Sequence, residues 1–475
     1  MEDASSKRKT DAKVGQRYYD AEHDILNYRL FYYDADGELQ EDKTRSNIKI
    51  SHPFFTELVD QQAQYMLNGD TFVKSDIPEL QEELDKVFND DFTSELTDTI
   101  TSTVTKGFGY MYCYKDSKNN FKFENADAMG VVEVRAKDTD DNCEYVIYWY
   151  IDKNTKANKT VKRIQVWDKE KIYFYTQADD GAIVEDDTEE INPRPHIIYR
   201  NTNDDESLYY DTLGFIPFFR LDNNRKQQSG LKPIKAIIDD YDLMACGLSN
   251  NIQDSAEAYF VVSGFQGDNL DELIQNVKVK KHIGVDAGGS LDVKTVDIPY
   301  QARLTKLQLD EVNIYRFGMG FNSAQIGDGN ITNVVIKSRY ALLDLKCDKL
   351  EKNLKKFLRE MIQVVLDDVN KRNNTDYQQK DVYFDFEREV ITNASDNASI
   401  KKIEADTRQV EINILLSLAS VLDSETVIKM ICDELDIEYN DIKDKLPINE
   451  ARETENAMEV LNNEQPTEAS SDVIA

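Results

Sequence analysis

Residues 337–370 have the sequence KSRYALLDLKCDKLEKNLKKFLREMIQVVLDDVN, in which an apolar side chain recurs every three or four positions. This spacing aligns the apolar side chains along one face of an α-helix. The helix would extend roughly 50 Å at about 1.5 Å per residue, longer than most helices of globular proteins. The pattern predicts a long amphipathic helix with the inner face Leu343, Cys347, Leu350, Leu354, Phe357, Met361, Val365 and Val369.

A second helical pattern precedes this helix, and a polar break separates the two. The first pattern covers Ala302 to Phe321, and the break covers Asn322 to Ile336. The break has Gly327-Asp328-Gly329-Asn330 at its centre, and these residue types favour turns and left-handed backbone. The local pattern leaves two interpretations open. The break is either the loop of a helical hairpin, or a mobile loop between two long helices that contacts another molecule.

The composition is that of a folded and strongly acidic protein. The 475 residues are enough for roughly two to four domains, and 40% of them are hydrophobic. Asp plus Glu number 90 against 57 Lys plus Arg, which gives a net charge of −33. This charge excludes broad electrostatic attraction to nucleic acid or to an anionic membrane. No segment approaches the roughly 20 apolar residues of a membrane span.

The cysteines predict reduced thiols. They are 5 in number and scattered along the chain. Cys246 and Cys347 fall on the apolar faces of predicted helices, which indicates buried thiols in a cytosolic redox setting.

The N-terminal half is predicted to contain helices followed by an antiparallel sheet. Residues 1–15 are expected to be a flexible tail. Amphipathic helices are predicted over 57–70 and 79–104. The following β-branched and aromatic runs indicate antiparallel strands, among which Tyr145–Ile151 is apolar on both faces and is expected to be central. The predicted strands are Tyr110–Tyr114, Val131–Arg135, Glu144–Ile151, Val161–Trp167 and Ile172–Thr176.

A further long helix is predicted from 233 to 259, because Pro233 suits a first helical turn and an apolar stripe follows it. The opposite side of this helix is acidic, and a solvated face is its simplest interpretation. The acidic residues are Asp239, Asp240, Asp242, Asp254 and Glu257.

The C-terminal half adds short strands and two helices. Strand-like runs are predicted at 260–262, 277–285 and 291–298, with a glycine turn at Ala287-Gly288-Gly289. A strand is predicted at Val382–Phe386. Helices are predicted at 399–422 and 424–435, and Ile403, Val410 and Ile414 are among the residues expected on the inner face of the first.

Several motifs occur in the order in which the portal proteins of tailed bacteriophages show them. The chain has Tyr18-Tyr19 before His23-Asp24-Ile25, then His52-Pro53-Phe54-Phe55, and a helix that ends in Tyr65-Met66-Leu67-Asn68-Gly69. Gly214-Phe215-Ile216-Pro217 and Asn223-Asn224 follow. The sequence from about 20 to 440 therefore resembles the SPP1-type portal family.

The resemblance implies an α+β portal-type subunit with long stem helices, a mixed α/β clip, a β-rich wing with a long helix, and a helical crown. Its implied divisions are a tail (1–15), the wing (16–232), the first stem helix (233–259), the clip (260–301), the second stem helix (302–321), a tunnel loop (322–336), the long wing helix and strand (337–390), the crown (391–447) and a disordered acidic tail (448–475).

The resemblance also implies a function. Portal subunits form a dodecameric ring at a capsid vertex, through which double-stranded DNA is packaged and ejected. The implied partners are other copies of the chain, the DNA, the large terminase ATPase, the head–tail connector, and the major capsid and scaffolding proteins. The implied location is the virion, with assembly in the host cytoplasm.

Site residues follow from the same resemblance. The tunnel loop would present Asn322, Gln325, Asp328, Asn330, Asn333 and Lys337 to the DNA. The clip would contact the motor and connector through Asp268, Asp271, Glu272, Lys278, Lys280 and Lys281. Neither a cofactor nor a metal is expected.

An enzymatic function is the weaker alternative. The chain has no Gly-x-x-x-x-Gly-Lys-Ser/Thr phosphate loop, so a separate motor would drive translocation. The histidines His23, His52, His196 and His282 lie far apart in the sequence without metal-ligand spacing. A carboxylate–metal hydrolase stays open because acidic residues are abundant. A different scaffold component of a virus particle, or a large acidic adaptor, is the stronger competitor.

Overall fold

The computed structural model describes residues 6–43, 45–67, 72–116, 119–136, 143–154, 159–177, 181–201, 204–255, 259–265, 284–294, 299–322, 333–386, 388, 394–418, 422–435, 437 and 439. Helices and strands are mixed along them, which confirms the predicted α+β class. The chain divides into two compact units, Met1–Asn330 with Val335–Val390, and Ile331–Val334 with Ile391–Ala475.

The long helix organises the main core. The helices up to residue 373 are α1 (Lys7–Tyr19), α2 (Phe54–Met66), α3 (Pro78–Val87), α4 (Asp90–Lys106), α5 (Lys235–Ser255), α6 (Tyr300–Gly318) and α7 (Asn333–Asn373). All eight residues predicted for the inner face of α7 are buried, in one cluster with apolar residues of α2, α3 and α4. The prediction of this helix is confirmed, although it begins at Asn333 rather than Lys337.

The single helix predicted over 79–104 is wrong. The chain forms α3 and α4 with a break at Phe88 and Asn89. The Asn89 side chain caps α4 by accepting a hydrogen bond from the Phe92 N–H at 3.2 Å. Phe88 and Phe92 are both buried, so the apolar spacing continues across the break. Periodicity alone therefore does not reveal the break, which is marked by the capping residue Asn89.

The flexible tail predicted over residues 1–15 is also wrong, because α1 begins at Lys7 and packs into the fold. Lys9 is buried, and its ammonium group donates to three backbone carbonyls, those of Ala128 (3.0 Å), Met129 (2.8 Å) and Val131 (2.8 Å). A buried lysine is tolerated only when its charge is satisfied in this way. The N-terminal helix is therefore an integral part of the first unit.

The predicted strands are present but belong to two sheets. One has the order β14-β4-β5, and the other runs β10-β9-β8-β7-β6 with β11 paired to β9. Smaller pairs are β1-β2, β3-β17, β12-β13 and β15-β16. The strands are β1 (Phe31–Tyr33), β2 (Leu39–Glu41), β3 (Val73–Lys74), β4 (Phe108–Lys115), β5 (Phe121–Ala126), β6 (Val131–Val134), β7 (Tyr145–Asn154), β8 (Lys159–Trp167), β9 (Lys171–Gln177), β10 (Ile183–Glu185), β11 (Arg194–Pro195), β12 (Ile197–Asn201), β13 (Asp204–Asp211), β14 (Phe218–Asp222), β15 (Tyr259–Phe265), β16 (Val285–Lys294) and β17 (Tyr383–Phe384).

Strand β7 is central in its sheet but is not covered on both faces. It pairs with β6 on one side and β8 on the other. Val146 and Tyr148 belong to a second apolar cluster, whereas Tyr145 and Ile151 on the opposite face are exposed. The prediction of a central strand is therefore confirmed, although one of its two apolar faces is exposed at Tyr145 and Ile151.

Two predicted boundaries near β15 and β16 differ from the structure. Helix α5 ends at Ser255, and Tyr259 already belongs to β15. Gly288 and Gly289 lie inside β16 instead of forming a turn before it. Gly264 and Gly288 have left-handed φ values of 70° and 97°, and the pairing shifts register between Ser263 and Phe265. The glycines therefore accommodate an irregularity within a hairpin.

The second unit contains α8 (Ala394–Ser417) and α9 (Ser424–Glu434). Two helices were predicted here, but the expected inner face of the first is wrong, because Ile403, Val410 and Ile414 are exposed. The spacing identified an amphipathic helix but not what covers its apolar side.

The thiols agree with the prediction. Cys246 and Cys347 are buried, and none of the five cysteines forms a disulfide. Residues 448–475, predicted to be disordered, lie outside the described residues.

Candidate functional site

Helices α5 and α6 lie side by side, and α5 carries four of the described residues that were predicted to be functional, Asp239, Asp240, Asp242 and Asp254. Gly247 gives the two helices room, because a Cβ atom there would lie 2.6 Å from a guanidinium nitrogen of Arg303. Lys306 of α6 bonds Asp240 of α5 and Asp310 of its own helix, each at 2.5 Å. These hydrogen bonds raise the pKa of Lys306 above its usual value. The pair is thus joined by a charged contact at its surface.

An extended segment, Ser46–His52, runs along α5, and we call it the strap. The backbone N–H groups of every second strap residue donate hydrogen bonds to side chains of α5. Each successive acceptor lies four residues closer to the start of the helix. The spacings match, because two extended residues advance about 6.6 Å and four helical residues advance about 6 Å. The pairs are Ser46 with Asp254 (3.2 Å), Ile48 with Asn250 (2.6 Å), Ile50 with the Cys246 sulfur (3.2 Å) and His52 with Asp242 (3.1 Å).

Asp242 is the innermost of these groups and joins two histidines. Its side chain is 0% exposed, as is that of His23. The Nδ1 atom of His23 lies 2.6 Å from one carboxylate oxygen, and the Nδ1 atom of His52 lies 2.7 Å from the other. The His23 ring also stacks on Tyr18 with 4.4 Å between centroids. The cluster ties α1, the strap and α5 together at one point.

The surroundings of this cluster affect the pKa of Asp242. Nε2 of His23 lies 3.3 Å from the carbonyl oxygen of Tyr18, so both ring nitrogens of His23 lie next to oxygen atoms. Burial raises the pKa of Asp242, but the hydrogen bonds from His23 and His52 outweigh burial and hold it below its usual value.

Among the described residues of the predicted acidic face of α5, only Asp242 is contradicted, because it is buried. The other three are partly or fully exposed but are hydrogen-bonded within the subunit. Asp242 is buried and Asp254 binds the strap. Asp239 accepts hydrogen bonds from Lys235 at 2.8 Å and from the Tyr18 hydroxyl. Asp240 accepts a hydrogen bond from Lys306, which also bonds Asp310. Glu257 lies outside the described residues. Most of this charge is used inside the subunit to fix the helix in place.

The sequence contains a signal that Asp242 is buried. Positions 234, 238, 242 and 246 follow one another at intervals of four residues. Ile234, Ile238 and Cys246 are buried apolar residues, and Asp242 occupies the remaining position. Asp242 is thus on the apolar stripe, where a carboxylate requires a partner. That His23 and His52 supply it, from about 200 residues earlier, follows only from the tertiary fold.

The predicted tunnel loop is described only at its edges. The Asn322 side chain donates to Glu311 at 3.0 Å, so it is tied to α6. Asn333 begins α7, and Lys337 is an exposed residue of that helix; both belong to a helix rather than to a loop. Gln325, Asp328 and Asn330 lie outside the described residues.

The predicted clip contacts are likewise untested. Asp268, Asp271, Glu272, Lys278, Lys280 and Lys281 all lie outside the described residues. Within the predicted clip, the structure describes the antiparallel pair of strands β15 and β16.

Helix α6 has a markedly apolar exposed side. Leu309 is 56% exposed and Phe317 is 50% exposed, and Val312 lies between them. Tyr300 and Leu304 are also exposed, but at 3.6 residues per turn they lie on the other side of the helix from Leu309. Single exposed apolar residues are ordinary, but several along one helix mark a contact surface.

The described residues contain neither a metal-ligand cluster nor a membrane-spanning helix. No group of three or more His, Cys, Asp or Glu side chains there could hold a metal ion. No described helix is both long enough and apolar enough to cross a membrane.

These features define an α+β protein whose long helices are anchored by internal charge pairs and leave apolar surface free for another molecule. The family follows from comparison with known proteins. Residues 1–440 match the family model described as "Phage portal protein, SPP1 Gp6-like". The chain belongs to this family, which confirms the resemblance read from its motifs and supports a phage portal role.

Two curated relatives agree with this assignment. The chain is 27% identical over 346 residues to the portal protein of Bacillus phage SPP1, covering 73% of this chain and 67% of the relative. It is 23% identical over 384 residues to the portal protein of Clostridium phage phiCD119, covering 76% and 80%. Both matches extend over most of the chain rather than a single motif.

Proposed function

We propose that copies of this chain assemble into a dodecameric ring at one vertex of a phage capsid. The ring surrounds a channel through which double-stranded DNA enters during packaging and leaves during ejection. A separate large terminase ATPase and then a head–tail connector dock on it, and it contacts the major capsid and scaffolding proteins. Family membership over residues 1–440 supports this proposal.

The observation that carries the proposal is the exposed apolar side of α6. A closed ring needs two different faces on each subunit, one for each neighbour. Leu309, Val312 and Phe317 form one such face, on a helix joined to α5 through Lys306. A neighbouring copy would remove these side chains from water, which stabilises assembly by about 25 cal/mol for each Å² buried.

The charge of the chain fits a channel that lets DNA pass. With a net charge of −33 per subunit, a twelvefold ring would carry roughly −400 formal charges. Such a field repels phosphate, whereas many Lys and Arg contacts would hold the duplex in place. In the proposal, residues 322–336 line the channel, residues 260–301 meet the motor and connector, and residues 391–447 face the packaged DNA.

Light scattering combined with negative-stain imaging of the purified protein tests the proposal. A particle of about twelve subunits with a central hole is expected. A small symmetric oligomer without a hole would refute it. A monomer that binds partners would favour an acidic adaptor or another scaffold component, and metal-dependent hydrolysis by a monomer or dimer would favour a hydrolase.

A further inference from the structure

A cavity of about 580 Å³ lies between the two larger sheets of the first unit, within the range of ordinary ligand pockets. Its wall is largely aromatic. Tyr112 comes from β4, Tyr148 and Tyr150 from β7, and Trp167 from β8. The Tyr112 ring centroid lies 6.2 Å from that of Tyr148 and 6.5 Å from that of Trp167. These rings provide negative π faces around one space.

A single carboxylate, that of Glu124, shares this cavity. Glu124 on β5 lies directly opposite Tyr112 on β4. One of its oxygens accepts the Tyr112 hydroxyl at 2.5 Å, and the other accepts the Tyr114 hydroxyl at 2.6 Å. Each oxygen is thus fixed by one hydrogen bond and keeps a lone pair for another.

The tyrosines remain donors to this carboxylate. The hydrogen bond to Glu124, together with burial, raises the pKa of Tyr114 to about 12. Burial and the hydrogen bond to Glu124 also raise the pKa of Tyr112. Neutral hydroxyls orient Glu124 without cancelling its charge.

The cations around the cavity are engaged with other groups. The Lys115 ammonium bonds Asp368 at 2.5 Å, and both side chains are largely buried. The Arg194 guanidinium lies over the Phe174 ring at 4.6 Å and is 3.5 Å from Glu189. Among the ion pairs of the described residues, none involves Glu124. Its charge therefore has no cationic partner in this part of the chain.

From these observations we infer that the cavity binds a guanidinium group. A guanidinium is planar, stacks on aromatic faces, and pairs with both oxygens of a carboxylate. The free lone pair on each oxygen of Glu124 and the surrounding rings match these three properties. The group could come from an arginine side chain of a partner protein or from a free guanidine, and this site does not depend on ring assembly.

The test measures binding of N-acetyl-arginine amide to the full-length protein. The chain has 2 tryptophans, so Trp149→Phe leaves Trp167 in the cavity wall as the fluorescent reporter. We expect saturable binding with a Kd on the order of millimolar, as suits so small a ligand. The matched neutral probe, N-acetyl-citrulline amide, should bind at least about tenfold more weakly, because it lacks the charge-assisted hydrogen bonds.

Two substitutions in the cavity, together with one control outside it, locate the site. Glu124→Gln should weaken binding of the arginine probe by about tenfold or more, because it removes the charge and keeps the shape. Glu144→Gln, an exposed glutamate outside the cavity, should leave the affinity unchanged. Tyr148→Leu should weaken binding several-fold without touching Glu124, which keeps the test valid if Glu124→Gln alters folding. Equal affinity for the arginine and citrulline probes, or unchanged binding in Glu124→Gln, would overturn the inference.

Butylguanidine separates the two sources, because it has the same single charge as the arginine amide but no peptide group. Weaker binding of butylguanidine than of the arginine amide would support an arginine side chain of a partner protein. Binding at least as tight would support a free guanidine and overturn the partner source.

Discussion

Asp242 holds a negative charge where water is excluded, and its two histidine partners make that possible. A buried charge is costly unless it is paired and hydrogen-bonded. Here both carboxylate oxygens have partners, His23 on one and the side chain and backbone N–H of His52 on the other. The attachment of three chain segments therefore depends on one residue.

Asp242→Asn should lower the free energy of unfolding by about 3 kcal/mol, because it leaves His23 buried beside a neutral amide. Asp240→Asn is the matched control on the same helix. Its carboxylate is 40% exposed, so its loss should cost less than about 1 kcal/mol. Urea titrations of both variants provide the comparison. Similar losses from both substitutions would show that the cluster is not an anchor.

The same carboxylate predicts a pH dependence. Its pKa is lower in the folded protein than the ordinary 3.8. The stability that Asp242 contributes is fully present above about pH 4 and is lost as the pH falls through the lower folded pKa. Between pH 5 and pH 3, the unfolding free energy of the unchanged protein should decrease more than that of Asp242→Asn. Parallel curves would contradict this assignment.

Helix α1 packs against α4 so closely that its sequence contains a glycine at the contact. A Cβ atom at Gly15 would lie 2.0 Å from the carbonyl oxygen of Thr105. The helices touch through backbone rather than through large side chains. A substitution at Gly15 therefore tests whether α1 is a packed helix or a flexible tail.

Gly15→Ala should destabilise the protein by about 2 kcal/mol or more, through overpacking against Thr105. In an unpacked helix the same change would stabilise by up to about 1 kcal/mol, so the two cases differ in sign. Lys13→Ala, at an exposed position of α1, is the control. Thermal unfolding measures both, and a higher melting temperature for Gly15→Ala would indicate that α1 is not packed.

Lys337 lies near the start of α7 and adjoins the proposed channel segment. If it contacts passing phosphate, Lys337→Glu should reduce DNA packaging by at least about threefold, because it reverses one charge in every subunit. Lys349→Glu, another exposed lysine of α7, should have little effect. Packaged DNA is measured by nuclease protection. Normal packaging by Lys337→Glu rings would remove the proposed role.

Helices with large, regularly spaced apolar residues could be predicted from the sequence, whereas helices packed through small residues could not. Leu343 to Val369 repeat along α7, and all of the predicted inner residues are buried. Helix α1 packs through Ala12 and Gly15, with Lys9 and Tyr18 as its other buried residues, so only one large apolar-type side chain marks its inner face. Helix α8 is a third case. Its helical spacing was predicted correctly, but its apolar residues are exposed, and the sequence of one chain does not show which surface would cover them.

At the scale of the whole molecule, the exposed apolar side of α6 should determine assembly. The double substitution Leu309→Asp and Val312→Asp should convert rings into smaller species, because charges would enter the proposed interface. Val184→Asp, at an exposed apolar position of β10, is the control and should leave the rings intact. Native mass spectrometry gives the distribution of species, and intact double-mutant rings would place the interface elsewhere.

The strap and α5 also have a consequence for synthesis on the ribosome. His23 precedes Asp242 by 219 positions, and His52 precedes it by 190. At about 5–20 residues per second, the carboxylate is made roughly 10–40 s after the histidines. During this interval the emerging N-terminal region lacks the group that fixes it. We therefore expect nascent chains stalled before residue 235 to be cleaved by proteases between α1 and α2, and chains extended past residue 260 and released from the exit tunnel to be protected.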